Sequence, residues 1–256
     1  GGCAYNGTAN GKVYQYSKYN TLWIPPAPSD AGSAIGACLH YMNENKLLKG
    51  KIRRNPFLGP DYYIDEKLLK NKKVKKFTSD YKLVEFIAKK IKDGNVVGWY
   101  RGRIEFGARA LGNRSILGNP HLPDIRDRIN KVVKKREMFR PFAPSVTHED
   151  YQTYFKSEED VPYMNQVVEV ISQTPIPSVT HVDNSARIQT VTKEQNPLYY
   201  KLLKEFEKLT GTPILLNTSF NAHGEPINNF PHQVLTHLKN NIIDYIVTEN
   251  YIISLK

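Results

Sequence analysis

Alternating amphipathic helices and short apolar strands are the feature that most constrains the fold of residues 79–256. The helix predicted over 79–92 carries Leu83, Ile87 and Ile91 on one side, which is the spacing of a helix with one buried face. Such alternation favours an α/β domain over an all-α or an all-β one. The predicted helices span residues 79–92, 125–133, 197–209 and 234–238, and the predicted strands span 96–100, 214–216, 245–247 and 251–253.

Residues 1–48 have the character of the end of a preceding domain. The segment NGKVYQY predicts a turn leading into a short strand, with Tyr14 and Tyr16 on one face. The run AGSAIGACLHYMNEN predicts a helix, and Asp30 stands before it, where a carboxylate can cap the helix or face a ligand. Because the chain opens on glycines and lacks an initiator Met, we expect it to be a fragment of a longer protein.

Residues 49–78 are basic and contain Pro56, Gly59 and Pro60, which predicts a connector between two domains. The chain is therefore divided into a remnant (1–48), a connector (49–78) and an α/β domain (79–256).

The net charge of +11 indicates anionic partners, which are either nucleic acid or phosphorylated small molecules. Most lysines crowd into the runs 67–76 and 89–92, and such runs are usually solvated faces. The arginines stand inside Gly-rich and Pro-rich motifs, so we expect them to carry the chemistry. Only two cysteines, Cys3 and Cys38, are present, and neither a signal peptide nor a membrane-spanning run is visible. These features predict a cytoplasmic protein that does not enter the membrane.

The first motif is GWYRGRIEFGARALGNRS, residues 98–115. Glycine lets the backbone approach a ligand closely, and the guanidinium fork matches phosphate oxygens. If the loop curls, Arg103, Arg109 and Arg114 converge, and Glu105 is placed to hold one of them. The alternative is a surface loop with buried Arg–Glu pairs, and the four arginines among glycines favour anion binding.

The second motif is KKREMFRPFAPS, residues 134–145, in which a helix delivers basic side chains to a Pro-stiffened turn. Lys134, Lys135, Arg136 and Arg140 form a cluster that can neutralise phosphate groups. The alternative is a basic helix end that interacts with its own dipole.

Two further motifs are polar. In HVDNSARIQTV, residues 181–191, strand alternation would place Asp183, Ser185 and Arg187 on one face, which could hold nucleotide phosphates. His181 alone is more often structural than catalytic.

The fourth motif, PILLNTSFNAHGEPI (213–227), is a buried strand that ends in a polar loop. Ligands of α/β folds collect at such strand ends. The alternative is an ordinary polar turn. The motifs of common NTPases, dehydrogenases and hydrolases are not found.

These four motifs, in this order, resemble the family of carbamoyltransferases that modify nodulation factors and antibiotics. The family patterns GRxEFGPRALGNRSIL, KxREPFRPFAP, HVDGSARxQTV and LLNTSFNxxGEPI read here as GRIEFGARALGNRSIL, KKREMFRPFAP, HVDNSARIQTV and LLNTSFNAHGEPI. The departures are Ala108 and Met138 for Pro and Asn184 for Gly, the last being tolerable in a left-handed backbone. GGCAYNGTANGK and APSDAGSAIGA are similar to the end of the family's first domain.

The resemblance implies two folds: a YrdC-like α/β domain, preceded by the end of an actin-like ATPase-type domain similar to that of the tRNA threonylcarbamoyl transferase. It implies that ATP with Mg²⁺ and carbamoyl phosphate form carbamoyl adenylate, whose carbamoyl group passes to a small-molecule hydroxyl acceptor. In the full-length protein, a divalent metal of the iron or manganese type in the first domain would help this transfer, and the histidines that bind it would lie before residue 1. The implied catalytic residues are Lys135, Arg136, Arg140 and Arg109. The implied binding residues are Arg103, Arg114, Ser145, Ser185, Arg187, Asn217, Ser219, Asn221 and Asn6, and the implied metal ligand is Asp30.

Two alternatives stay open. One is a relative of tRNA modification that makes or uses threonylcarbamoyl adenylate, which the positive charge keeps in view although nucleic acid is the less favoured partner. The other is a truncated module that binds nucleotide without turnover. The expected absence of the N-terminal half of the family's protein puts complete transfer activity in doubt.

Overall fold

Residues 1–49, 55–239 and 243–255 are described in the computed structural model of the chain. Residues 50–54 of the predicted connector lie outside the described residues. The strands are β1 (Lys73–Lys76), β2 (Val97–Tyr100), β3 (Arg114–Gly118), β4 (Ala143–Thr147), β5 (Phe155–Lys156), β6 (Val167–Val170), β7 (Ser185–Arg187), β8 (Gln189–Val191), β9 (Ile214–Ser219), β10 (Tyr245–Val247) and β11 (Tyr251–Ser254).

The helices are α1 (Gly7–Asn10), α2 (Val13–Tyr16), α3 (Asp30–Glu44), α4 (Asp80–Lys92), α5 (Pro123–Arg128), α6 (Tyr151–Tyr154), α7 (Pro197–Thr210) and α8 (Pro231–Lys239). Short 3-10 helices span Gly2–Tyr5 and Glu66–Leu69, and a π-helix spans Ile129–Lys134.

A mixed eight-stranded sheet in the order β1-β11-β10-β2-β3-β9-β4-β8 forms the centre of the fold, and β5-β6-β7 form a second, small sheet. The pairs β10–β2 and β4–β8 are parallel, and the other pairs of the large sheet are antiparallel. The α/β prediction is confirmed by this sheet and its helices.

Strand alternation sends successive side chains of the large sheet into two different cores. Val97 and Trp99 of β2 pack with α4 and α7 on one face, whereas Tyr100 belongs to the core on the other face. Each fully buried Leu or Ile side chain in these two cores contributes about 1.5–3 kcal/mol to the stability of the fold. The second core also contains residues of α5, α8 and the small sheet, so the basic helix end and the third motif are brought to the same side.

Most predicted elements of residues 79–256 are confirmed within a few residues. Helix α4 has its N-cap at Ser79 and basic residues in its last turn, where they complement the helix dipole. Helix α7 ends at Thr210, and its C-cap Gly211 has a φ of 80°, the left-handed conformation that glycine adopts without strain.

The strand predicted in NGKVYQY (residues 10–16) is wrong, because Val13–Tyr16 forms the helical turn α2 and Asn10 is the last residue of the preceding turn α1. These turns pack against β6 instead of extending a sheet. Gly11 approaches β6 so closely that a Cβ atom there would lie 1.9 Å from the carbonyl oxygen of Val167. The hydroxyl of Tyr14 donates to the Glu159 carboxylate at 2.9 Å. The backbone N–H and C=O groups of this segment are therefore paired by local hydrogen bonds within single helical turns, and not by hydrogen bonds to a neighbouring strand.

Two boundaries differ from expectation. Asp30 is the first residue of α3 instead of standing before it, and Ser29 is the N-cap. Strand β1 lies within the predicted connector and pairs with β11 at the edge of the large sheet.

Within the described residues, no helix combines the length and apolar character needed to cross a lipid bilayer.

Candidate anion-binding site

Side chains of all four motifs meet around one open cavity of about 280 Å³. It lies at the end of β9, where the strand passes into the polar loop of the fourth motif. The charged and amide-bearing lining residues are Arg109, Lys134, Arg136, Arg140, Arg187, Asn217, Asn221 and Glu225, and Ser219 adds a hydroxyl. Five cationic side chains therefore face one carboxylate.

Lys134 is the most buried cation of the cavity, with 7% of its surface exposed. Its Nζ donates to the carbonyl oxygen and hydroxyl of Ser219 at 2.7 and 3.1 Å and to the carbonyl and side-chain oxygens of Asn221 at 3.0 and 2.5 Å. Burial lowers the pKa of Lys134 to about 7, and the positive charge of Arg136 adds to this effect, while Glu225 opposes it. A bound anion would favour the charged ammonium group.

The π-helix explains why Lys134 points inward and its neighbour does not. It ends at Lys135, whose φ of 43° is left-handed, so the chain reverses direction there. Lys135 is exposed and does not line the cavity. π-helical turns are frequent at functional sites because they redirect side chains.

Arg136 is fixed by Asn130, a fully buried residue of the π-helix. Its Nε donates to the Asn130 Oδ1 atom at 2.7 Å, and its guanidinium lies 4.7 Å from the centre of the Phe142 ring. Asn130 Nδ2 also donates to the carbonyl oxygen of Arg140 at 2.8 Å. The buried amide of Asn130 therefore holds both ends of the turn formed by residues 136–140, which we call the REMFR turn.

Arg109 and Arg187 differ from Arg136 in the hydrogen bonding of their guanidinium groups. The Nε atom of each is buried and has no hydrogen-bond partner in the described part of the chain. Burial, together with the positive charges of Arg109 and Arg136, lowers the pKa of Arg187 to about 10. Three guanidinium groups close enough to repel one another, in a cavity where cations outnumber carboxylates, form a site that an anion would stabilise.

The backbone that carries Arg109 is held by two buried polar side chains, one that accepts hydrogen bonds and one that donates. The Oε1 atom of Glu105 accepts hydrogen bonds from the backbone N–H groups of Leu111, Asn113 and Arg114 at 2.7, 2.7 and 3.2 Å. Gln189 Nε2 donates to the carbonyl oxygen of Leu111 at 2.8 Å. The expectation that Glu105 pairs with an arginine side chain is wrong, because its described partners are backbone N–H groups.

The structure does not bring Arg103 and Arg114 to Arg109. Arg114 is fully buried, stacks 3.9 Å from the centre of the Tyr100 ring and donates to the carbonyl oxygens of Arg101 and Gly102. Arg103 is exposed and donates to the carbonyl oxygens of Leu58 and Gly59. The curled loop turns these two guanidinium groups to its own backbone and to the preceding segment.

Ser145 and Asn217 belong to a buried network beneath the cavity. The Ser145 hydroxyl donates to Gln189 Oε1 at 2.6 Å, and Asn217 Nδ2 donates to the Ser145 hydroxyl and to Gln189 Oε1 at 3.0 Å each. Asn217 still lines the cavity, and its Oδ1 atom is buried without a described partner. Ser145 is fully buried and does not line the cavity.

The third motif is divided between two cavities. Arg187 lines the cationic cavity, whereas Asp183 and Ser185 line a separate one of about 560 Å³. The Ser185 hydroxyl donates to Asp183 Oδ1 at 2.6 Å, within a turn in which Asn184 has a φ of 60°. The left-handed backbone expected at Asn184 is thereby confirmed.

Asn6 and Asp30 also lie apart from the cationic cavity. Asn6 is exposed and caps α1 by accepting a hydrogen bond from the Ala9 N–H group at 3.1 Å. Asp30 is exposed at the start of α3. Across residues 1–49, 55–239 and 243–255, no three His, Cys, Asp or Glu side chains are grouped closely enough to hold a metal ion. A divalent metal needs more ligands than one carboxylate, so Asp30 alone does not form a metal site, and its assignment as one ligand of a centre in the complete protein stays a prediction.

Sequence reasoning placed Lys134 in the basic cluster but chose Lys135 for the site, and it missed Asn130 and Gln189. An ordinary α-helical spacing continued past residue 134 does not show whether Lys134 or Lys135 points into the cavity. Asn130 and Gln189 carry no sequence signal beyond being amides next to the motifs.

The fold and the cavity together define an α/β protein with a cationic anion-binding site. Residues 88–255 match the family model of the carbamoyltransferase C-terminus, and residues 1–39 match that of the carbamoyltransferase N-terminus. The chain belongs to the carbamoyltransferase family. The family resemblance of the four motifs is confirmed.

The chain is similar to two named nodulation proteins and to a named O-carbamoyltransferase. The chain is 40% identical to nodulation protein NolNO of Sinorhizobium fredii, over 99% of this chain and 39% of that protein. It is 38% identical to nodulation protein NolO of Bradyrhizobium diazoefficiens, over 99% and 48%. It is 32% identical to the 3'-hydroxymethylcephem-O-carbamoyltransferase of Amycolatopsis lactamdurans, over 98% and 47%. The chain therefore spans less than half the length of these three relatives.

Among solved structures, full-length HypF in its phosphate- and nucleotide-bound form aligns with a TM-score of 0.46 and 16% identity, over 69% of this chain and 24% of that one. Sua5 of P. abyssi complexed with L-threonine aligns with a TM-score of 0.47 and 15% identity, over 66% and 47%. Similarity at this level gives no information about ligands of this chain.

Proposed function

We propose that the cationic cavity binds ATP and carbamoyl phosphate and forms carbamoyl adenylate, from which the complete protein transfers the carbamoyl group to a hydroxyl acceptor. The observation that supports this most is the convergence of Arg109, Arg136 and Arg187 around a cavity whose lining has five cationic side chains and one carboxylate. Family membership supplies the carbamoyl group as the group transferred.

The balance of the first reaction is carbamoyl phosphate plus ATP plus water giving carbamoyl adenylate, phosphate and pyrophosphate. Water first attacks carbamoyl phosphate, whose bond between the carbamate oxygen and phosphorus breaks, which gives carbamate and phosphate. A carbamate oxygen then forms a bond to the α-phosphorus of ATP, and the bond from that phosphorus to the pyrophosphate oxygen breaks. Negative charge grows on the leaving pyrophosphate, and fixed guanidinium groups stabilise it without reorganisation. In the second reaction an alcohol takes the carbamoyl group, and AMP leaves.

Each cavity residue has a part in the adenylation step. Arg109, Arg136 and Arg187 neutralise phosphate oxygens, and Arg140, which is more than half exposed, is suited to the outer phosphates at the mouth. Lys134 holds Ser219 and Asn221 in place and supplies charge when an anion enters. Mg²⁺ would arrive with ATP as part of the substrate, and no step is assigned to a resident metal.

The test is the release of pyrophosphate from Mg-ATP by this chain, with carbamoyl phosphate in one reaction and with threonine plus bicarbonate in another. We expect release that depends on carbamoyl phosphate. Release only with threonine and bicarbonate would assign the site to threonylcarbamoyl adenylate. ATP binding without release in either reaction would make the chain a nucleotide-binding module.

A further inference from the structure

The N-terminal segment contacts a cation of the site directly. The guanidinium of Arg109 lies 5.5 Å from the centre of the Tyr5 ring, within the range of a cation–π interaction. Tyr5 is half-buried at the end of a 3-10 helix. It belongs to the region matched by the N-terminus model, whereas Arg109 belongs to the region matched by the C-terminus model.

The position of Tyr5 is set by a specific docking contact. Asn10 Nδ2 donates to the carbonyl oxygen of Ala4 at 2.8 Å and to that of Asn165 at 2.7 Å, which joins the N-terminal turn to the start of β6. At Gly11 a Cβ atom would lie 1.9 Å from the Val167 carbonyl oxygen, so only glycine allows this approach.

A second contact holds the loop of Arg109 from the same side. Gly107 has a φ of 137°, and a Cβ atom on it would lie 2.4 Å from the carbonyl oxygen of Pro26. The N-terminal region therefore touches the Arg109 loop at two points. Within the described residues, no ion pair or hydrogen bond fixes the Arg109 guanidinium, and its buried Nε is unpartnered.

We infer that Tyr5 is a positioning residue that holds the Arg109 guanidinium over the cavity, so that docking of the N-terminal segment and anion binding in the cavity are linked. The flat ring restricts Arg109 without neutralising it, which leaves the charge available to a phosphate group. This inference deepens the proposed function, since it names a control of the same site, but its anion-binding part does not depend on turnover.

The test is the dissociation constant of pyrophosphate, measured by titration calorimetry on this chain. Tyr5→Phe keeps the ring, and we expect it to bind as the wild type does. Tyr5→Leu removes the ring, and we expect binding roughly five-fold weaker, which is about 1 kcal/mol at 1.4 kcal/mol per tenfold. In an Arg109→Leu background, Tyr5→Leu should have no further effect, because Tyr5 acts through Arg109.

Gly11→Val provides an independent variant, since it displaces the docking turn and leaves both Tyr5 and Arg109 in the chain. We expect weaker pyrophosphate binding that Tyr5→Leu does not weaken further. Wild-type affinity in Tyr5→Leu, or an equal loss with and without Arg109, would overturn the inference. If pyrophosphate binds with the expected pattern but is not released from ATP, the adenylation proposal fails and the role of Tyr5 stands.

Discussion

Arg187 offers a sharp test because its charge should stabilise a bound anion and destabilise the free protein. A pKa lowered from 12.5 to about 10 corresponds to a free energy on the order of 3 kcal/mol that opposes the charged side chain in the fold. The sign is fixed: because the folded-state pKa is the lower one, this cost is fully present below pH 10 and disappears as the pH rises from 10 to 12.5. Arg187→Met keeps an unbranched apolar stem and removes the charge.

For the free Arg187→Met protein at pH 7, we expect the free energy of unfolding to rise by about 1–2 kcal/mol, since part of the gain is lost with the packing of the guanidinium. The corresponding rise in melting temperature is roughly 2–6 °C for a chain of this size. Pyrophosphate should raise the melting temperature of the wild type and have a much smaller effect on the variant.

Denaturant unfolding with and without pyrophosphate measures both effects. Arg103→Met is the matched control, because Arg103 is an exposed arginine that bonds the carbonyl oxygens of Leu58 and Gly59 outside the cavity. It should lose up to about 1 kcal/mol and keep its response to pyrophosphate. A loss of more than 1 kcal/mol in free Arg187→Met, with an unchanged response to pyrophosphate, would refute the interpretation of Arg187 as an unpaired anion ligand.

Four further predictions concern the neighbouring residues. Lys134→Met should lower kcat/KM for carbamoyl phosphate-dependent pyrophosphate release by about 10- to 100-fold, because it removes a charge and the ammonium hydrogen bonds to Ser219 and Asn221, while Lys135→Met should stay within about two-fold of wild type. Sulfate, which does not titrate near neutral pH, should bind more tightly at pH 6 than at pH 8 because Lys134 has a pKa of about 7 in the free protein, and calorimetry of Lys134→Met should show a flatter pH dependence. Asn130→Leu should lower kcat/KM by releasing the REMFR turn, and a variant with normal kinetics would show that this buried amide does not position the site. Asp30→Ala should leave pyrophosphate release unchanged, and a loss of release would show that the division of labour between the two regions is wrong.

The large sheet and its helices were predictable because their side chains follow simple periods. Helix α4 shows the spacing of one buried helical face, and β2 and β9 are short apolar runs bounded by turn residues. The N-terminal turns were not predictable in this way. Four residues of alternating character fit a strand and a helical turn equally well, and the contact of Gly11 with Val167 that decides between them lies 156 residues away along the chain.

The location of the candidate site was predictable, but the direction of individual side chains was not. Arg109 and Arg114 are five residues apart in one motif, yet one lines the cavity and the other is buried against Tyr100. Lys134 and Lys135 differ because a π-helix ends between them in a left-handed residue. The residue types therefore predict that the site is cationic, whereas the backbone conformation determines which of two residues of the same type points into the cavity.

A diffraction structure of this chain with a stable analogue of carbamoyl adenylate, such as 5'-O-(N-carbamoylsulfamoyl)adenosine, tests the central claim most directly. The account predicts that the sulfamoyl oxygens lie within hydrogen-bond distance of Arg136 and Arg187, with Arg109 still held against the Tyr5 ring. Density for the analogue elsewhere, with these guanidinium groups bound to protein carboxylates or turned to solvent, would contradict it.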